Sequence, residues 1–242
     1  NALKPGYYDT ANAGWAKYAA NNGLERQLKI LKEEGIKASV FCSGVQMERH
    51  PDLIKKIAAE GHEVCLHSLA QNIIPIYLDE ATEREQMSHC LDLAVSLTGK
   101  HPVGYCSPRC TPSLSTSKLL AENGLKYTID WMGSDLPMVE HTEAGDICLM
   151  PFPMNVNDMP LYVRYGNAPD QYYRNLVDEF DNWYAKHPEE KVVYWVTAHS
   201  HVFGRPFGAV QFQRCIQYIK SLPYVWIAQP HEVASTVLDV TY

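Results

Sequence analysis

Apolar residues at Leu24, Leu28 and Leu31 recur at helical spacing, and the run stops at Gly35, a helix-ending residue. This predicts a helix up to Gly35 and a strand over 37–42. A helix near 51–60 and a strand near 62–67 come next. The segment 79–97 opens with acidic residues and carries Met87, Cys90, Leu91 and Ala94 on one stripe, which reads as a longer helix. A strand over 103–106, a helix over 115–123 and strands over 126–129 and 147–151 follow. An irregular, aromatic-rich stretch at 154–170 leads into a helix over 171–186. The chain closes with a strand over 192–197, a helix over 209–221, a strand over 224–228 and a helix over 231–238.

Alternation of this kind implies a parallel sheet covered by helices, and its near-eightfold repetition favours a (β/α) barrel over an open sheet. Residues 1–22, rich in Gly, Ala and Asn, read as loop. A barrel would open on a strand, so the expectation is that the first strand precedes Asn1. The 242 residues, 46% of them hydrophobic, suffice for a single α/β domain over 1–242.

Net charge is -7 and the 21 basic residues are dispersed, which argues against nucleic acid or an anionic membrane as partner and favours a small-molecule substrate. There is no apolar run of membrane-spanning length, and the amino terminus lacks the basic and apolar regions of a signal peptide. Seven cysteines, an odd number set mostly in apolar segments, point to reduced thiols and a cytoplasmic location. Cys106 and Cys110 flank a tight turn, but no neighbouring His in sequence would activate either as a nucleophile.

The chemistry concentrates in WVTAHSHVFGRP, where the predicted strand delivers His199 and His201 to its carboxyl end, followed by Gly204, Arg205 and Pro206. Residues two apart on a strand share a face, so both imidazoles line one side of a cleft where α/β folds place their chemistry. Further candidates stand at other strand ends. His67 follows the strand over 62–67. Arg109 sits in the SPRCTPS turn between Pro108 and Pro112. YTIDWMGSDLP supplies Asp130, Trp131 and Asp135. A carboxylate beside a large ring suits proton transfer, and Asp130 equally suits an ion pair with Arg109. Asn155, Asn157 and Asp158 offer amide and carboxylate groups for reading a ring substrate, or for Asx turns. Arg205 is placed to bind a substrate carbonyl or to anchor its turn.

The ordered stretches IKASVFCSGVQMERHP, AAEGHEVCLHS, DEATEREQM, LTGKHPVGYCSPRCTPS, SDLP, NVNDM and HSHVFGRP resemble the polysaccharide deacetylase (NodB-like) superfamily, specifically its branch of metal-independent allantoinases and related cyclic amide hydrolases. The resemblance runs from Tyr18 onward and implies a distorted (β/α) barrel that hydrolyses a carbon–nitrogen bond. In most members that bond is an N-acetyl amide; in this branch it is a ring amide. The family's first motif carries acidic residues on the opening strand. Its second motif places two histidines on a divalent metal; here His67 is retained, as a tentative metal ligand, while Gln71 takes the second position. An amide oxygen is a poor zinc ligand, so zinc binding is left open. The third-motif arginine, here Arg109, orients a carboxylate or the substrate.

The mechanism implied is ring opening of a small cyclic amide, imide or ureide. Water activated by a carboxylate or a metal attacks the carbonyl, Arg109 and backbone donors stabilise the oxyanion, and His199 protonates the departing nitrogen; His67 and Asp130 complete the catalytic candidates. His201, Arg205, Trp131, Asp135, Asn155, Asn157 and Asp158 are the substrate-binding candidates. Two alternatives remain: a metal-dependent N-acetyl polysaccharide deacetylase, and a non-catalytic binding module of the same fold. Allantoinase-like relatives are homotetramers, and the aromatic segment 159–173, with Tyr162, Tyr165, Tyr172 and Tyr173, is the expected subunit contact or a lid.

Overall fold

In the computed structural model, which describes residues 6–152 and 154–239, the amino-terminal stretch expected to be loop carries a helix, α1 (Thr10–Tyr18). Asp9 caps it by accepting the Asn12 N–H at 2.8 Å, and the alanines that follow outweigh Gly14 in helix preference. One π-helical turn, Ala19–Gly23, continues into α2 (Leu24–Glu34). Gly35 ends α2 in the left-handed region at φ 69°, the conformation that glycine adopts without strain.

The chain then runs through β1 (Ser39–Cys42), α3 (Gly44–Arg49), α4 (Pro51–Ala59), β2 (Glu63–Leu66), α5 (Glu80–Thr98), β3 (Gly104–Tyr105), α6 (Thr116–Glu122) and β4 (Tyr127–Trp131). The expected strand over 147–151 is β6 (Gly145–Pro151), and a strand that the pattern did not announce, β5 (Met138–Thr142), pairs with it as a hairpin before α7 (Gln171–Glu179), α8 (Pro206–Lys220) and α9 (Pro230–Asp239). The strands form one sheet in the order β1-β2-β3-β4-β6-β5, parallel except where β5 runs antiparallel to β6. The α/β class with a central, largely parallel sheet is as the alternation implied.

Two expected strands do not form ladders. Over 192–197 the backbone donors go singly to loop carbonyls, Val193 N–H to Asp135 and Thr197 N–H to Val156, and one isolated bridge joins Thr197 to Asn157. Over 224–228 the apolar side chains stay outside, with Trp226 61% exposed, so their pattern reflects no buried ladder.

The chain divides into two compact units. The first comprises the described residues within 1–36, 153–188 and 195–225; the second comprises those within 37–152, 189–194 and 226–242. In the first, α2 and α7 both pack on α8 around Leu28, Leu176, Phe203, Phe212 and Cys215. Tyr172 belongs to this core: its hydroxyl donates to the Thr197 carbonyl at 2.9 Å and its ring centroid lies 4.8 Å from that of Phe203. The aromatic segment expected to be a contact surface is therefore partly interior, and Tyr165 is its exposed member. In the second unit the sheet buries Cys65, Leu66, Tyr127, Ile147 and Met150, and Ile57, Met87, Leu119 and Leu120 of α4, α5 and α6 are buried as well. A Cβ on Gly104 would stand 2.2 Å from the Tyr127 ring, so only glycine lets that ring lie flat across β3. Among the described residues no helix is long and apolar enough to cross a membrane.

Candidate active site

His199 and its surroundings in the first unit are organised by Asp158, which is 0% exposed. Its Oδ1 accepts the His199 Nδ1–H at 2.6 Å, and its Oδ2 accepts the backbone N–H groups of His199 at 2.9 Å and Phe203 at 3.1 Å. A buried carboxylate needs such donors, and three of them hold it in one orientation. The bond to Nδ1 sets the tautomer and leaves Nε2 as the proton-exchanging nitrogen of a half-buried ring. Asp158, a substrate-binding candidate in the sequence, is buried here and spends both oxygens on the His199 loop.

The two asparagines of that motif are engaged as well. Asn155 Nδ2 donates to Glu179 at 2.8 Å, and Asn157, buried, accepts the Met159 N–H at 3.1 Å in an Asx turn. Both asparagines, expected to read a ring edge, are thus bonded within the protein, and Asn155 is also exposed.

His201 stands 5.8 Å from His199 between ring centroids, edge-on, and its own ring meets Trp15 of α1 at 4.8 Å. Burial, together with the nearby His199 and Arg205, lowers the His201 imidazole below its ordinary range, which favours its neutral form. Arg205 lies with its guanidinium carbon 3.9 Å over the Tyr18 ring, and Arg26 donates to the Tyr18 hydroxyl at 2.9 Å. Trp15 and Tyr18, three residues apart on α1, went unnoticed in sequence because the segment carrying them read as loop; their helical spacing was the available clue.

The second unit holds the remaining candidates. His67 follows β2; its Nδ1–H donates to the Cys106 carbonyl at 2.8 Å, which puts the ring lone pair on Nε2, the tautomer of a metal-binding histidine. Gln71, however, is exposed. Among the described residues of this unit no set of three His, Cys, Asp or Glu donors close enough to share an ion includes His67. His67 and the exposed Gln71 do not form the two-histidine pair of the family's second motif.

Asp130, at the end of β4, accepts the Ser107 N–H with both oxygens at 3.1 and 2.9 Å, the Thr128 hydroxyl at 3.0 Å and the Cys106 thiol at 3.6 Å. Burial raises its carboxyl above the usual range against these bonds. The ion pair with Arg109, the alternative role for Asp130, is not formed among the described residues: Arg109 is exposed, and the turn that carries it is pinned through Ser107 instead. Arg109 and Cys110 both adopt positive φ, 60° and 54°, a costly conformation for residues with a Cβ. The Cys110 thiol donates to the Asp130 carbonyl at 3.3 Å, and burial with the nearby Asp130 charge pushes the Cys106 and Cys110 thiols up, out of the nucleophilic range. Trp131 keeps its indole N–H buried without a partner among the described residues, and Asp135 is exposed in the following loop.

A sequence profile described as "Polysaccharide deacetylase" matches residues 7–128. Over 254 aligned residues the chain is 24% identical to the peptidoglycan deacetylase of Helicobacter pylori, covering 91% of this chain and 85% of that protein. It is 32% identical to the peptidoglycan deacetylase-like protein FGM2 of Gibberella zeae, covering 69% of this chain but only 48% of that relative. Among solved structures it is similar to Puue allantoinase at 30% identity and a TM-score of 0.86, covering 95% of this chain and 76% of that one. On the matched profile and the shared fold, the chain belongs to the polysaccharide deacetylase family and is a hydrolase of carbon–nitrogen bonds other than peptide bonds.

Proposed function

We propose that the protein opens a small cyclic amide, imide or ureide by hydrolysis, with His199 as the general acid. The observation that carries this reading is the buried Asp158, whose three accepted N–H bonds fix His199 in the tautomer and orientation that a proton donor needs. Water adds to the ring carbonyl and gives a proton to His199 Nε2, the carbon–nitrogen bond breaks, and the imidazolium so formed passes that proton to the departing nitrogen. Asp158 stabilises that imidazolium, while the neutral His201 beside it places no second positive charge in the way. Arg205, held flat by Tyr18, is the group proposed to bind a ring carbonyl. The likeness to an allantoinase and the exposed Gln71 in the second motif support a ring amide as substrate.

The second reading is an N-acetyl polysaccharide deacetylase, favoured by the names of the curated relatives. A hydrolysis panel of allantoin, succinimide, hydantoin and N-acetylglucosamine oligomers separates the two. Turnover of a ring compound that is lowered about 10²-fold or more by His199→Ala supports ring opening. Turnover of the oligomers alone overturns it.

A further inference from the structure

Gln27 is a polar residue on the apolar face of α2, 6% exposed and buried alongside Leu28, Ile30 and Leu31. A buried amide must satisfy both its donor and its acceptor. Gln27 does so on one loop: its Nε2 donates to the Ala198 carbonyl at 3.2 Å, and its Oε1 accepts the Ser200 hydroxyl at 2.6 Å. The two residues gripped are those on either side of His199. The Ala198 carbonyl also dictates which way the amide faces, since the reverse would set two acceptor oxygens against each other.

The surrounding backbone leaves this loop little room. A Cβ on Gly23 would stand 1.8 Å from the Ser200 carbonyl oxygen, and one on Gly204 would stand 2.1 Å from the same atom and 2.6 Å from the Gly23 Cα. Arg26, next to Gln27 in sequence, donates to the Gly204 carbonyl at the far end of the loop. The amino end of α2 therefore braces the segment from Ala198 to Gly204, while Asp158 holds the imbedded imidazole and the N–H groups of His199 and Phe203.

We propose that Gln27 is a positioning residue for the reaction, holding the backbone on both sides of His199 so that its ring stays seated on Asp158. The inference rests on the reading of His199 as the proton donor. Without the amide, Ala198 and Ser200 lose their fixed partner, the loop shifts, and the short bond from Nδ1 to Asp158 loosens. Displacements on the order of 1 Å at a reacting group cost rate by about 10²-fold.

Three variants test it. Gln27→Leu removes both bonds at similar volume. Gln27→Glu keeps the shape and accepts from Ser200, but its ionised carboxylate sets an oxygen against the Ala198 carbonyl; protonated, it regains a donor. Ser200→Ala removes one bond and leaves Gln27 in place. The measurements are kcat and KM on the panel compound that wild type hydrolyses fastest, and the proton NMR resonance of the His199 Nδ1–H in substrate-free protein.

Gln27→Leu is expected to lower kcat by about 10²-fold with KM changed by no more than about threefold, and to shift or broaden the Nδ1–H resonance; Ser200→Ala does the same to a smaller degree. For Gln27→Glu the kcat ratio to wild type rises as pH falls through the range in which its carboxyl protonates, a response that a packing defect would not give. A folded Gln27→Leu protein with wild-type kcat and an unshifted resonance overturns the proposal, as does a low, pH-independent ratio for Gln27→Glu. If Gln27→Leu fails to fold, Ser200→Ala and Gln27→Glu decide by the same criteria. His199→Ala separates the two ideas: a wild-type rate in that variant sinks the proton-donor reading itself, whereas an inactive His199→Ala beside an unaffected Gln27→Leu removes only the positioning role.

Discussion

His199 owes its usefulness to a residue whose side chain never reaches solvent. Asp158→Asn keeps the shape of the buried carboxylate but replaces an acceptor with a donor at a site where every neighbour donates. The imidazole must then change tautomer or turn away, and kcat is expected to fall roughly 10²- to 10⁴-fold while the far-ultraviolet circular dichroism is retained. An unchanged rate would show that Asp158 has no part in orienting the ring.

A different histidine is expected to contribute to the loss of stability in acid. His62 is buried, its Nδ1 accepts the Ala38 N–H at 3.1 Å, and burial, followed by the nearby Lys37, lowers its imidazole below the ordinary 6.5. The unfolded chain thus binds the proton more readily than the folded one. Stability from this group is complete above 6.5 and is lost as pH falls from there through the depressed value. Melting temperatures should decline over that window in wild type and less steeply in His62→Gln; parallel curves for the two proteins would exclude His62 as the cause. At this scale the motif HSH marked His199 and His201 as candidates, although the strand expected to deliver them does not form. Asp158 was legible only as a polar loop residue, since no spacing along the chain tells which backbone it will face.

Among the elements, α1 and the turn into α2 matter most to the site. Gly23→Ala drives a Cβ into the Ser200 carbonyl oxygen, a backbone atom that cannot move aside, so a loss of about 1–3 kcal/mol is expected, seen as a melting temperature lower by roughly 3–10 °C. Gly14→Ala, in α1 with nothing within 4 Å of the added carbon, should instead stabilise by about 0.5–1 kcal/mol. Equal effects of the two substitutions would refute the close approach of α2 to the His199 loop. The long amphipathic helix α5 was read from its stripe to within a residue or two at each end. The strand readings over 192–197 and 224–228 failed because β-branched and aromatic runs report only a tendency to pair, and pairing needs a neighbour in register.

For the whole molecule, the likeness to allantoinase-like proteins leads us to expect a homotetramer. Light scattering should then report about four times the chain mass of 27.4 kDa; a particle of that single mass would rule it out. Chelation probes the metal question at the same scale. With Gln71 exposed and no three-donor set around His67 among the described residues of its unit, turnover should survive prolonged dialysis against a strong chelator. Loss of activity that zinc restores would reverse that expectation.

Periodicity along the chain determined the α/β class, most of its helices and the parallel sheet, because burial of one face imprints a repeat that survives in one dimension. Motif order determined the family, and with it the histidine loop. Tertiary structure alone decided that Asp158 accepts from His199, that Asp130 pins Ser107 rather than pairing with Arg109, that Tyr172 is interior, and that Gln27 grips residues 171 and 173 positions further along. A hydrogen bond is made by whichever polar atoms the fold brings within about 3 Å, and that proximity leaves no periodic trace in the order of the residues.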